Sequence, residues 1–410
     1  MAFLANACNP GVVTGSDRPL AGTRIFAASQ LGAGPWALSL LSDLGADVIK
    51  IEPPGRGDEA RNVPPYAEDG DSLYYQALNR GCRAITLDLR QPEGRAVLRR
   101  LVPSCAAVYN NLRGGEPERL GLTYAALADV HPGIVCCSLS GFGQSGPRAL
   151  EPGYDFLVQA YTGFMSLTGE PDGPPVRSGV SVVDFAAGIL SMLAMMIGIQ
   201  RASRTGVGAE IDVSLFDTAI AMLNYLACWN LNRGWEPART RSSAHQSVVP
   251  AQTFRTADGF VVVMCMKEKF WERLCERLER PDLRADPRYG TFADRYEHRE
   301  ALLADLSAEF RRRSTEEWLR QLRGIVPCGP VHDVAEALAD EHTAAREMIV
   351  EVDHPVFGTL RQTGTPMRFA GVQPIHVHAA RLGEHTDEVL TALGGYGADE
   401  IAELRSRGVV

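Results

Sequence analysis

The sequence predicts an α/β protein: a large domain on a doubly wound, Rossmann-like parallel sheet, joined to a smaller α+β domain. Three observations carry that reading. The chain has 410 residues, enough for two compact domains that each bury a core. From Arg24 onward, short apolar strands alternate with helical segments, the pattern of βαβ units. Beyond about Trp229 the text changes to charged helical stretches such as KFWERLCERLE and STEEWLRQLRG.

The elements follow in order. RIFAAS (24–29) is a strand, QLGAG a turn, PWALSLLSDLG a helix and DVIKIE (47–52) the next strand. Pro35 suits the first helical turn, and Gly45 suits the position just past a helix end. AITLDL (84–89), the helical PEGRAVLRRLV (92–102), AAVYNN (106–111) and IVCCSLSGF (134–142) continue the alternation. The apolar run Phe185 to Ile199 has fifteen residues, short of the ~20 that a membrane span needs, and reads as a buried helix. In FRTADGFVVVMCM, Asp258-Gly259 separates two strand-like runs and predicts a hairpin. Ser314 and Glu317 form a capping box that opens a helix. From Gly358 the tail returns to strand and then helix. The expected division is 1–225 for the first part of the large domain, 226–335 for the small domain, and 336–410 for a segment returning to the large one.

Lys and Arg number 41 against 50 Asp and Glu, a net charge of −9, which disfavours nucleic acid and anionic membranes as partners. An anionic ligand therefore needs a local basic cluster. The nine cysteines are odd in number and show no CxxC, against a disulfide framework or a zinc site. They read as reduced, mostly buried thiols of a cytoplasmic protein. No Lys or Arg precedes Arg18 and no long apolar core follows, so a secretory signal is not expected.

Gly32-x-Gly34-x-x-Ala37 after a strand, with Glu52 ending the next, nearly matches the dinucleotide fingerprint. It suits a nicotinamide cofactor, another phosphate-bearing ligand or a plain tight turn. Arg113 and Arg119 on the Gly-rich loop YNNLRGGEPERLGL suit phosphates through bidentate hydrogen bonds, or solvent. Arg83 and Arg90 invite the same pair of readings. SGFGQSGP (140–147) lacks the spacing of a serine nucleophile elbow. His376 and His378 read as an exposed pair rather than metal ligands. Asp155 and Asp184 each precede an apolar segment, and each suits a helix N-cap. A carboxylate drawn out of water nonetheless needs a partner or a task.

Several segments together resemble the family III CoA-transferases, the group that includes formyl-CoA and carnitine CoA-transferases and the 2-methylacyl-CoA racemases. They are AGPWALSLLSDLGADVIKIEPPGRGDEAR, LNRGCRAITLDLRQPEGR, NNLRGGEPERLGL, SGFGQSGP, GYDFLVQAYTG, TGVGAEIDVSLFDT, VPCGPVHDV and LGEHTDEVLTALG. The resemblance runs from about Ala21 to Val410. It implies that Asp184 is the nucleophile, passing through an anhydride and an aspartyl-CoA thioester, with helix-start N–H groups after Asp184 serving the oxyanions. It implies CoA contacts at Gly32, Ala33, Leu87 to Arg90, Asn111, Leu112, Arg113, Arg119 and Tyr154. The implied substrates are an acyl-CoA and a small carboxylic acid, with no tightly bound cofactor, no metal, and an interlocked homodimer.

In the racemases a His stands in a Gly-His-Asp triplet; here the triplet is Gly153-Tyr154-Asp155. Tyrosine, with a pKa of about 10, suits a neutral-pH proton shuttle poorly, so a transferase is expected and the racemase is the alternative. A nicotinamide oxidoreductase is the reading from another class. Departures from the family pattern are NNLRGG, Val207, and the region Ser242 to His245, where relatives have a glycine-rich acceptor loop. Arg24 and Arg61 suit either surface salt bridges or the second carboxylate of a dicarboxylic substrate.

Overall fold

The computed structural model describes residues 18–410; Cys8 and the stretch read for a secretory signal, up to residue 17, lie outside them. The described residues form two compact units. The larger comprises the chain up to Thr162, Gly179–Leu223 and Glu341–Val410; the smaller comprises Gly163–Ser178 and Asn224–Asp340.

In chain order the larger unit begins β1 (Arg24–Ala28), α1 (Ala33–Asp43), β2 (Asp47–Glu52), α2 (Leu73–Asn79), β3 (Arg83–Thr86) and α3 (Pro92–Leu101). It continues β4 (Ala107–Asn110), β5 (Val135–Ser140), α4 (Asp155–Tyr161), α5 (Val182–Thr205), β6 (Ala209–Ser214) and α6 (Leu215–Met222). The six strands pair in parallel in the order 3-2-1-4-5-6. That order reverses between β1 and β4, where the loops leave in opposite directions and open a crevice at the strands' carboxyl ends.

The period-2 alternation of a strand sorts the two faces. Phe26, Ile49, Val108 and Cys136 pack with Val97, Leu98 and Leu101 of α3. The residues between them face the other way: the Tyr109 ring sits where a Cβ on Gly34 of α1 would stand, and Cys137 Sγ lies 3.6 Å from the Ser191 carbonyl of α5. Gly45, at φ +99°, ends α1 in the left-handed backbone that favours glycine.

β6 was hidden in the sequence by its charges: in AEIDVS only Ser214 is buried, as suits an edge strand. α5 departs in part from the expected buried helix. Val183, Ala187, Gly188, Ser191 and Met195 are buried where it packs on α1, β5 and β6. On the other side Leu193 is 54% and Ile197 57% exposed. By length and composition α5 could cross a membrane, but a core helix passes the same test.

The smaller unit has a three-stranded antiparallel sheet containing the expected hairpin, β7 (Ala251–Arg255) and β8 (Phe260–Met264). α7 (Arg299–Phe310) and α8 (Thr315–Leu322) follow, and β9 (Cys328–Pro330) completes the sheet. The capping box of Ser314 and Glu317 is present. Trp318 is fully buried and donates to the Phe310 carbonyl at 2.7 Å. In the tail, β10 (Ile349–His354) and β11 (Gly358–Thr363) form a ribbon of their own. α9 (Thr386–Gly394) and α10 (Ala398–Ser406) return Val389, Leu390 and Ile401 to the main core.

α1 and α5 touch most closely at Gly188, where a Cβ would overlap the Ala33 carbonyl oxygen and stand 3.2 Å from the Ala37 Cβ. Gly188→Ala is therefore expected to lower stability by about 1–3 kcal/mol through overpacking, read from denaturant unfolding of the purified variant against wild type.

Candidate active site

Asp184 is the third residue of α5, whose N-cap is Ser181 and makes no side-chain cap. The cap comes from another element. Asp155, 3% exposed, places Oδ2 at 2.8 Å from the Val183 amide and 3.0 Å from the Asp184 amide. Orphan N–H groups at a helix start need acceptors, and a carboxylate there also meets the positive end of the helix dipole. Neither aspartate is thus the N-cap of its own helix: Asp155 serves the neighbouring helix, and Asp184 caps nothing.

The Asp184 carboxylate is half-buried, and neither a hydrogen bond nor a cation contributes to its titration. Burial, and then the nearby Asp155 carboxylate, push its pKa up to about 7. Its Oδ2 lies 3.3 Å from the point where a Cβ on Gly32 would stand. Of the amides after Asp184 expected to serve oxyanions, the first, that of Phe185, is already bonded to the Ser181 carbonyl; the Val183 and Asp184 amides before it are held by Asp155.

A cavity of about 310 Å³ places Asp184 with Gly32, Ala33, Asn111, Arg113 and Tyr154. A second, of about 190 Å³, is lined by Leu87, Arg90 and Arg119 with Arg56. Gln30 and Leu112 line both, so the two cavities adjoin at the β1/β4 switch point. All twelve residues expected from the resemblance, Leu87 to Arg90 counted as four, lie on one or the other. Asn111 is more than a lining residue: its side chain accepts from the Gln30 amide at 2.8 Å and donates to the Gln30 carbonyl at 2.7 Å. That brace ties together the two loops that diverge at the switch point.

The arginines of the two cavities carry local counter-charges. Arg90 holds Asp88 at 2.8 Å, Arg113 lies 3.5 Å from Glu116, and Arg119 pairs with the same glutamate. Arg90, Arg113 and Arg119 are each more than half exposed at the side chain, where such pairs are weak and a phosphate can displace them. Arg56 and Gln30 were not singled out in the sequence; the available signals were an arginine between two glycines and the first side chain past a Rossmann-type strand.

Two other expectations, on Glu52 and on the histidine pair, are corrected, and the two readings of Arg24 and Arg61 resolve to salt bridges. Glu52 is not presented to a ribose: it is 1% exposed, bonded to Arg61 at 2.6 and 2.8 Å and to the Asp58 amide at 2.8 Å. Arg61 is likewise buried in that pair, and Arg24 bonds Asp47 at 2.6 Å, so neither is free for a substrate carboxylate. The histidine pair is divided between partners, His376 lying 3.4 Å from the buried Asp43 and His378 standing 5.0 Å from the ring of His354. Among the described residues no cluster suits a metal. The eight described cysteines are free, and six are buried.

Residues 20–386 match CoA-transferase family III. The chain belongs to that family. Named relatives agree: the human "Succinyl-CoA:glutarate CoA-transferase" is 33% identical, covering 96% of this chain and 90% of its own length. The Agrobacterium fabrum "Succinate--glutarate CoA-transferase" is 37% identical, covering 92% and 96%. A solved CAIB/BAIF family protein from Brucella suis superposes with a TM-score of 0.78 at 35% identity, covering 92% of this chain and 99% of that one. This CoA-transferase therefore carries its family's chemistry on a Rossmann-like sheet. Its Gly34 makes room for the Tyr109 ring. Where relatives are expected to have glycines, it holds Ser242 and Ser243 at φ +54° and +55°, left-handed backbone that side chains adopt at a cost.

The raised pKa of Asp184 has a consequence for stability. Its carboxyl titrates near 4 in the unfolded chain and at about 7 in the folded protein, so the unfolded state releases its proton first. Its contribution to stability falls as pH rises from about 4 to 7 and is level above. Asp184→Asn removes this penalty. The variant is expected to match wild type near pH 4 and to exceed it by roughly 2–4 kcal/mol above pH 7, measured as paired unfolding curves across pH.

Proposed function

We propose that this enzyme moves CoA from an acyl-CoA to a small carboxylic acid with Asp184 as nucleophile. The observation that carries the reading is the Asp184 carboxylate: half-buried, with no ion pair to dull it, on a cavity at the switch point. A carboxylate oxygen attacks the thioester carbonyl, the C–S bond breaks, and CoA leaves as thiolate from a mixed anhydride. The thiolate attacks the Asp184 carbonyl carbon, expelling the donor acid as its carboxylate and leaving an aspartyl-CoA thioester. The acceptor carboxylate attacks that carbon, again releasing thiolate. The thiolate then takes the acceptor's acyl carbon and frees Asp184. No proton is gained or lost, and a site with little water protects both anhydrides.

The phosphates of CoA fit the cavity with Arg56, Arg90 and Arg119, where guanidinium groups supply paired donors. The pantetheine arm then passes Gln30 and Leu112, which line both cavities, to bring the thioester to Asp184. The names of the relatives make succinyl-CoA and glutarate the first pair to assay. Exposed Ile189, Leu190, Leu193 and Ile197 on α5 form an apolar patch of the kind that marks an interface, which supports a homodimer. Unpaired, mostly buried thiols support a cytoplasmic setting.

Asp184→Asn is expected to abolish CoA exchange, a loss of at least ~10³-fold in kcat/KM for removal of a covalent nucleophile. Activity near wild type in a purified, folded Asp184→Asn protein would defeat the proposal. In wild type, kcat/KM is expected to rise with pH and level off above about 7, since only the ionised carboxylate attacks. Asp155→Asn is expected to move that rise to lower pH, because it removes the neighbouring negative charge.

A further inference from the structure

Near Asp184, beside Gly32, stands a tyrosine that none of the preceding chemistry uses. Tyr74 is the second residue of α2. Its neighbour Tyr75 is 1% exposed, accepts from Arg61 at 2.7 Å, and bonds through its amide to the N-cap Ser72 at 3.0 Å. Tyr75 thus anchors α2, and Tyr74 points away from that anchor. Its hydroxyl lies 3.9 Å from the point where a Cβ on Gly32 would stand, and Asp184 Oδ2 lies 3.3 Å from the same point. The missing side chain of Gly32 leaves a gap that both the Asp184 carboxylate and the Tyr74 phenol border.

The chemistry of the second half-reaction asks for a donor there. An anionic acceptor must approach the carbonyl carbon of Asp184, and no Lys or Arg contributes to the environment of that carboxylate. A fixed cation would hold the acceptor, but it would also pair with Asp184 in the free enzyme and weaken it as a nucleophile. A neutral O–H donor avoids the conflict. Burial, and then the charges of Asp184 and Asp58, push the Tyr74 phenol upward, so it keeps its proton.

We infer that Tyr74 is an acceptor-binding residue: its hydroxyl donates to the incoming carboxylate in the gap that Gly32 leaves beside Asp184. The inference rests on Asp184 being the nucleophile. One acceptor oxygen takes the Tyr74 hydrogen bond while the other forms a bond to the Asp184 carbonyl carbon. The thioester C–S bond breaks, its electron pair leaves on the CoA sulfur, and Tyr74 retains its proton throughout.

Tyr74→Phe removes the donor alone at a residue 43% exposed, so folding is not at stake. The measurement is the two half-reactions of Tyr74→Phe and wild type: covalent labelling by succinyl-CoA alone, then discharge of the labelled enzyme by glutarate or by hydroxylamine, a neutral nucleophile. Hydroxylamine discharge is expected to be unchanged, and labelling to reach the same extent but more slowly, because succinate leaves by the reverse of the step that Tyr74 assists. Discharge by glutarate is expected to fall roughly ten- to hundredfold, as for a lost hydrogen bond to a charged group. Equal loss with both nucleophiles, or none with glutarate, would overturn the assignment while leaving the nucleophile intact. No labelling of wild type would overturn the Asp184 reading and this inference with it.

Discussion

The site depends on one interaction, the grip of the Asp155 carboxylate on the first amides of α5. A buried helix start with no side-chain cap of its own would leave N–H groups unsatisfied, which costs about 1–3 kcal/mol each. Asp155 removes that cost from outside the helix. It also fixes where the third residue of the helix points. Because α5 packs closely on α1 at Gly188, the same grip sets Asp184 over Gly32 at the start of α1. The arrangement carries an electrostatic penalty, since it brings one carboxylate close to another with no cation between. Under the proposed mechanism the penalty favours reactivity, because a carboxylate that nothing stabilises is the better nucleophile.

The rest of the floor shows the opposite treatment of charge. Lys50 and Asp58 pair at 2.7 Å, and Arg61 and Glu52 at 2.6 Å, all nearly fully buried. Asp58 also accepts from the Leu31 amide at 3.1 Å, and Leu31 sits at φ +57°, just before the Gly32 turn. Buried ion pairs are weak evidence for stability but do fix geometry when every member is bonded. Here they hold the β1–α1 loop and the loop carrying Arg56. Ion-paired carboxylates thus shape the loops of the site, while Asp155 and Asp184 stand without ion pairs, the first held by amides.

Much of the sheet was legible in the sequence because its strands are short apolar runs between helices with clear start and stop residues, such as Pro35 and Gly45. β6 was not, since an edge strand buried on one side mixes charges with apolar residues. The half-exposed state of α5 was also hidden, because composition reports how apolar a helix is and not which face finds a partner within the chain. Asp184 stood out as a charge amid apolar text, and the resemblance supplied a role. The function of Asp155 was invisible: its two bonds reach residues 28 and 29 positions away, and no local pattern encodes that. Glu52 misled for a related reason, since its spacing fits a ribose contact while its true partner, Arg61, is set by the fold.

The central claim is that Asp184 itself exchanges an oxygen with the substrates, and one measurement addresses it directly. The enzyme is turned over with succinyl-CoA and glutarate labelled with ¹⁸O in its carboxylates, then digested, and the peptide containing Asp184 is weighed. Passage through the second anhydride leaves one acceptor oxygen on the aspartate when thiolate takes the acyl carbon. Label confined to the Asp184 side chain is the predicted result. An unlabelled Asp184 after many turnovers that form glutaryl-CoA would contradict the account, because CoA would then have passed between the acids without bonding through this carboxylate.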